Sequence, residues 1–141
     1  MARRFSIQAH EQRVTSLAFS RDGQWLASGG SDKAIHVWRM ADGSRRTWSA
    51  SGDGETRGDA LSGHTGTVLE LAFSPDASLL ASGGMDNRAL LWDMSSGKPL
   101  QAVSSDAPAG QAGPHRGDVI ALAFHPNGGM LASGGRDDRI V

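Results

Sequence analysis

Apolar residues along this chain fall into short, regularly interrupted groups. Leu17 and Phe19 alternate at period two, as do Leu71 and Phe73, and Leu122 and Phe124. That is the spacing of a half-buried strand. In each group a valine (Val14, Val68 or Val119) lies three residues before the leucine and breaks the parity. A β-bulge would return valine and leucine to one face and sharpen the local twist. Each strand runs into a turn, Arg21-Asp22-Gly23, Pro75-Asp76-Ala77 or Pro126-Asn127-Gly128. These residues fix φ or reach positive φ at little cost. Second strands are predicted over 25–28, 79–82 and 130–133, and third strands over 34–38 and 88–92. Fourth strands are predicted over 43–50 and 97–104, with 3–8 as the matching strand of a preceding unit. No helical pattern of adequate length occurs.

The groups are copies of one unit. Phe19, Phe73 and Phe124 are offset by 54 and then 51 residues, and each is followed in step by Leu-Ala-Ser-Gly-Gly at 26–30, 80–84 and 131–135. Self-similarity at such a period is the mark of a repeat architecture. His10, His64 and His115 precede Ser28, Ser82 and Ser133 by 18 residues, and Asp32, Asp86 and Asp137 by 22. Trp38 and Trp92 close the first two units, 28 residues after their histidines.

Gly63-His64 at the start of a unit, Ser82-Gly83-Gly84-Met85-Asp86 within it and Trp92-Asp93 at its end resemble the signature of WD-repeat β-propellers. Ala9-His10 and Pro114-His115 stand in place of Gly-His, and Trp38-Arg39 in place of Trp-Asp, yet the His, Ser, Asp and Trp positions are kept. The resemblance implies an all-β fold of four-stranded antiparallel blades in an incomplete ring, covering 1–141. Repeats are expected at 10–63, 64–114 and a shortened 115–141. The last unit stops at Arg139-Ile140-Val141, where its sister continues to Leu91-Trp92-Asp93. The ring is therefore expected to be completed by further sequence or by a second copy of the chain. Family units run about 40–45 residues. The excess lies in 51–61 and 105–114, both of loop composition, and both inserts are expected on one face of the ring.

Composition narrows the functional classes. The chain has 141 residues, 19 Gly, no Cys and a formal net charge of −1. Absence of cysteine excludes disulfides and thiolate metal sites, and a balanced charge speaks against nucleic acid held through a basic field. No stretch approaches the ~20 apolar residues of a membrane-spanning helix. Arg3-Arg4 lacks the apolar region of an export signal. The expected address is cytoplasmic.

Ser, His and Asp at fixed spacing suggest a catalytic triad, but a triad occurs once, whereas this set recurs in every unit. The resemblance implies a structural hydrogen-bond network of His10, Ser28, Asp32 and Trp38, of His64, Ser82, Asp86 and Trp92, and of His115, Ser133 and Asp137. Buried Trp N–H and imidazole groups need such partners. His36 and His125 have no repeat equivalents and read as surface residues, and no histidine pair has a zinc-ligand spacing. The paired glycines lack the Gly-Lys-Ser/Thr ending of a phosphate loop and read as strand ends. Gly52-Asp53-Gly54-Glu55 misses the calcium-loop spacing. Arg57-Gly58-Asp59 and Arg116-Gly117-Asp118 are read as coincidental tripeptides. Arg45-Arg46 reads as a charged edge device.

No catalytic residue, metal or cofactor is therefore expected. The predicted function is a protein-interaction scaffold. The rival reading is a regulatory or sensing propeller module of a larger enzyme whose catalytic domain lies elsewhere. By position, the resemblance places a partner-binding loop face at Arg13, Thr15, Ser31, Thr67, Leu69, Met85, Asp118, Ile120 and Arg136. Other proteins are the expected partners, with no nucleic acid and no membrane.

Overall fold

The computed structural model describes residues 6–47, 60–103 and 115–141. Its strands are β1 (Val14–Phe19), β2 (Trp25–Gly30), β3 (Ile35–Arg39), β4 (Val68–Phe73), β5 (Leu79–Gly84), β6 (Ala89–Asp93), β7 (Pro99–Val103), β8 (Val119–Phe124) and β9 (Leu131–Gly135). They form three antiparallel sheets, ordered β1-β2-β3, β4-β5-β6-β7 and β8-β9. Among the described residues there is no helix. The sheets are stacked blades of an unclosed ring, with β4 packed between β1 and β8.

The valine–leucine parity break is a bulge in all three blades. Register shifts between Val14 and Ser16, between Val68 and Glu70, and between Val119 and Ala121. As a result Val68 and Leu71 both lie over Gly29 of the first blade. Each sheet therefore has a front, bearing valine, leucine and phenylalanine of its first strand, and a rear on which the first and second strands carry alanine and glycine beside the larger side chains of the third. The first seam buries Ala27, Ile35, Val37 and Leu61 against Val68, Leu71, Leu80, Leu90 and Trp92. Arg46, half-buried, lays its guanidinium 4.7 Å from the Trp25 ring centre, and Asp93 of the second blade attracts it across the seam.

The Leu-Ala-Ser-Gly-Gly glycines end the strands as expected, β2 at Gly30, β5 at Gly84 and β9 at Gly135, and they also act by lacking bulk. A Cβ on Gly29 would fall 2.6 Å from Val68 Cγ1, and one on Gly83 would fall 2.7 Å from Val119 Cγ1. The second glycine of each pair faces the other way. A Cβ on Gly84 would fall 2.7 Å from His64 Nδ1. One glycine admits the next blade and the other admits the blade's own histidine.

Fourth strands are uneven. β7 completes the second blade, pairing Ala89 with Val103 and Leu91 with Gln101. In the first blade, among the described residues, bridges join β3 to its outer neighbour, Trp38 to Arg45 and Ile35 to Leu61. Arg46 N–H donates to Val37 O (2.7 Å) and Leu61 N–H to Ile35 O (2.8 Å). The expectation that both inserts share one face of the ring concerns residues outside those described. Residues 51–59 and 105–114, the calcium-like loop, Arg57-Gly58-Asp59 and residues 3–5 of the expected leading strand lie outside the described residues. So do 48–50 and 104, the far ends of the expected fourth strands.

Turns between first and second strands use one device. Ser20 Oγ–H donates to Asp22 (2.6 Å) and accepts from Trp25 N–H (2.9 Å), and Ser74 does the same with Asp76 and Leu79 N–H (2.7 and 3.0 Å). The Ser74 hydroxyl, with the Ser78 N–H and hydroxyl, holds the Asp76 carboxyl down at about 2. Gly23 and Gly128 take φ of 70° and 77° here, whereas Ala77 is forced to 59°.

Two stability outcomes follow. Gly29→Ala should lower unfolding free energy by about 1–3 kcal/mol through overpacking of the seam. Ala77→Gly should raise it by about 0.5–1 kcal/mol, since relief of left-handed strain exceeds the entropy cost of glycine. Urea titration of both variants checks the signs.

Candidate functional site

The turn from second to third strand carries the aspartate, and the segment before the first strand carries the histidine. These two segments meet because the first and second strands pair antiparallel. In the first blade His10 Nδ1 lies 2.9 Å from Asp32 Oδ1, and Nε2 lies 2.9 Å from Ser28 Oγ. Trp38 Nε1–H donates to the same Oγ at 3.0 Å. The second blade repeats this with His64 to Asp86 (2.9 Å), His64 to Ser82 (2.7 Å) and Trp92 to Ser82 (2.8 Å). In the third, His115 reaches Asp137 (3.0 Å) and Ser133 (2.8 Å).

Donor and acceptor counting assigns the protons. A carboxylate only accepts, so Nδ1–H donates to Asp, and Nε2 then accepts the Ser hydroxyl proton. The Ser oxygen is left to accept the Trp N–H. The aspartates also cap backbone, accepting from the N–H of Glu11 (3.2 Å), Thr65 (2.8 Å) and Arg116 (2.6 Å). Burial opposes ionisation of Asp32, but hydrogen bonds from His10 and the Ala34 N–H keep its carboxyl below the usual range. The His115 ring and the Arg116 N–H hold Asp137 at about 2. Burial lowers the His64 imidazole, Asp86 opposes that shift and Arg88 adds to it.

Chemically this arrangement fixes geometry. Ser28, Ser82 and Ser133 are buried, and the oxygens of Ser28 and Ser82 also accept an indole N–H, so they offer no face to a substrate carbonyl. Both nitrogens of each network histidine are committed, which removes the lone pair that a metal would need. No cluster of three or more metal-ligating side chains occurs among the described residues.

The loop-face residues are brought together in pairs. Ser31, Met85 and Arg136 donate their N–H to the carbonyls of Arg13, Thr67 and Asp118, each at 2.9 Å. Met85 and Ile120 are exposed, Thr67 and Leu69 partly so, and Arg136 Nη1 lies 3.2 Å from Asp118 Oδ2. Thr15 is turned inward instead. Its hydroxyl contacts the carbonyl oxygens of Gly29 and Val68, tying the bulge of one blade to the next.

His36 corrects the surface expectation, being only 8% exposed. Its ring lies 4.8 Å from the His10 centroid and 5.9 Å from that of Trp38, while Arg45 covers Trp38 at 4.9 Å. Strand parity carried this signal, since His36 and Trp38 share one face of β3. Arg45 and Arg46 likewise cover tryptophan rings, in addition to any edge role. His125 is exposed and contacts Asn127 (2.7 Å) in the turn position held by Ser20 and Ser74.

Ser82→Ala should destabilise by about 2–4 kcal/mol, because it strands both His64 Nε2 and Trp92 Nε1 in a buried site. Acid should act in two stages. His64 titrates below its usual 6.5 in the fold, so stability is complete above that pH and is lost as pH falls toward the lowered value. Asp137 contributes above 3.8 and loses its contribution as pH falls toward about 2. Melting temperature against pH checks this; a melting point that rises on acidification contradicts the assignment.

The WD domain, G-beta repeat family model matches residues 2–39, 54–93 and 111–141. Protein HIR1 of Yarrowia lipolytica is 28% identical over 142 residues, spanning 96% of this chain and 12% of the relative. Protein hir1 of Schizosaccharomyces pombe is 28% identical over 141 residues, spanning 96% of this chain and 14% of the relative. THO complex subunit 3 of Arabidopsis thaliana is 31% identical over 135 residues, spanning 95% of this chain and 37% of the relative. The chain therefore covers well under half the length of each of these curated relatives.

Proposed function

The chain belongs to the WD domain, G-beta repeat family, and from that premise we propose that it is a non-catalytic scaffold binding protein partners through its loop face. The observation that carries this reading is the contrast between the two kinds of repeated residue. Histidine, serine and aspartate are the same from blade to blade, joined by tryptophan in the first two, and are used up internally. The residues beside them at the loop end change with each blade: Ser31, Met85 and Arg136, and, at the bulges of the second and third blades, Leu69 and Ile120. A fixed frame presenting variable side chains is suited to recognition. Exposed Met85 and Ile120 supply the apolar contact, and the Arg136–Asp118 pair supplies a polar rim. One relative is by name a subunit of a complex, in keeping with protein partners here.

Affinity capture with the purified chain tests the face. Met85→Asp should remove any partner held there, and Arg21→Glu, in the turn at the opposite end of the blade, should leave binding intact. Partners retained equally by both variants would overturn the loop-face reading.

A further inference from the structure

Sulfur in this chain is confined to methionine, because the sequence holds five Met and no Cys. An oxidant that would elsewhere find a thiolate first meets only thioethers here. The methionines of the described residues differ in access. Met94 lies in the first seam at 3% exposure, and Met40 is half-buried. Met130 is 62% exposed, but at the turn end of the third blade. Met85 is 51% exposed at the loop end.

Met85 is open although both of its neighbouring blades are in place. It follows β5 of the second blade, which has the first blade on its front and the third on its rear. Its exposure therefore does not come from a bare sheet face. The backbone at this point is pinned, with the Met85 N–H donating to Thr67 O (2.9 Å) and the following Asp86 bound to His64 (2.9 Å). A Cβ on Gly66 would fall 2.9 Å from the Met85 carbonyl carbon, so the turn is closely packed at its root. The Met85 side chain takes no part in the core cluster. A change of chemistry at its sulfur alters what the face offers without loosening the blade. Of the three apolar side chains at the loop end, Leu69 and Ile120 are hydrocarbon, and only Met85 can accept an oxygen atom.

We propose that Met85 is a site of reversible oxidation by hydrogen peroxide, and that its sulfoxide releases a protein partner from the loop face. The release rests on docking at that face; the oxidation does not. The Sδ lone pair attacks one peroxide oxygen and the O–O bond breaks. The hydroxide that leaves takes up the proton of the transferred oxygen, so the thioether is oxidised to sulfoxide and peroxide is reduced to water. A thiol-dependent reductase reverses the change, two thiols becoming a disulfide while the sulfoxide oxygen leaves as water. The sulfoxide is polar and accepts hydrogen bonds. Against a partner surface shaped for a thioether it has no donor to satisfy it, and docking should weaken about tenfold or more.

Peroxide treatment of the 141-residue chain, followed by peptide mapping in a mass spectrometer, tests the first half. Met85 should gain one oxygen under conditions in which Met94 gains none. For the second half, peptides selected on the untreated chain from a random displayed library, and kept only if Met85→Asp loses them, serve as the binding probe. Peroxide should weaken their binding about tenfold or more, and methionine sulfoxide reductase with dithiothreitol should restore it. The peroxide response should persist in Met130→Leu and vanish from Met85→Leu. Met85 left unoxidised, or oxidised with the probe still bound, would overturn the inference and leave loop-face docking standing. A loss that the reductase does not reverse would assign the effect to another group and overturn it equally. A library yielding no peptide that Met85→Asp loses would overturn loop-face docking, and the release with it.

Discussion

A sheet that is apolar on both faces cannot stand alone in water, and every other feature of this chain answers to that constraint. A blade must lie between two others, so its front and rear must fit at close range. Gly29 and Gly83 provide the fit by removing a side chain where the valine of the following blade arrives. The bulge provides the other half by turning Val68 and Leu71 to the same side. With either missing, the leucine and valine would point to opposite faces, or the strands would be held apart by a methyl group.

Hydrophobic contact between flat sheets is not directional, so something else must set the angle at which loops and strands leave each blade. The histidine relay does this. In the first two blades it runs from a loop carboxylate through imidazole and hydroxyl to an indole on the third strand, tying the segment before the first strand to the second and third strands. Because the hydroxyl has one proton and must satisfy two nitrogens, only one arrangement completes the chain of bonds. The relay gives a unique geometry to a blade whose packing alone would tolerate sliding.

Most of this was legible from repetition. Aligning the three copies placed the first and second strands, the bulge and the His–Ser–Asp spacing, because each depends on residues within one unit. What depends on neighbouring units was hidden. The glycine pair looked like punctuation, since only the presence of the next blade shows why a side chain is forbidden there. Met130 opened a predicted strand that begins at Leu131. His36 lacks a counterpart in the other units and so reads as a surface residue, although its parity with Trp38 on β3 points inward. Thr15, placed on the loop face by position, turned out to serve the seam, a use that Leu69 and Ile120 cannot share for want of a hydroxyl.

The outer edge of the first blade has a bearing on colloidal behaviour. An edge strand is a template onto which a foreign strand can add, and its capacity depends on an unbroken row of free backbone groups. In the second blade the outward row belongs to β7, which opens with Pro99 and so lacks an N–H at its first position. In the first, the row facing outward from β3 is already taken up at Val37 by Arg46 and at Ile35 by Leu61, two residues distant in sequence that leave a foreign strand no free groups there.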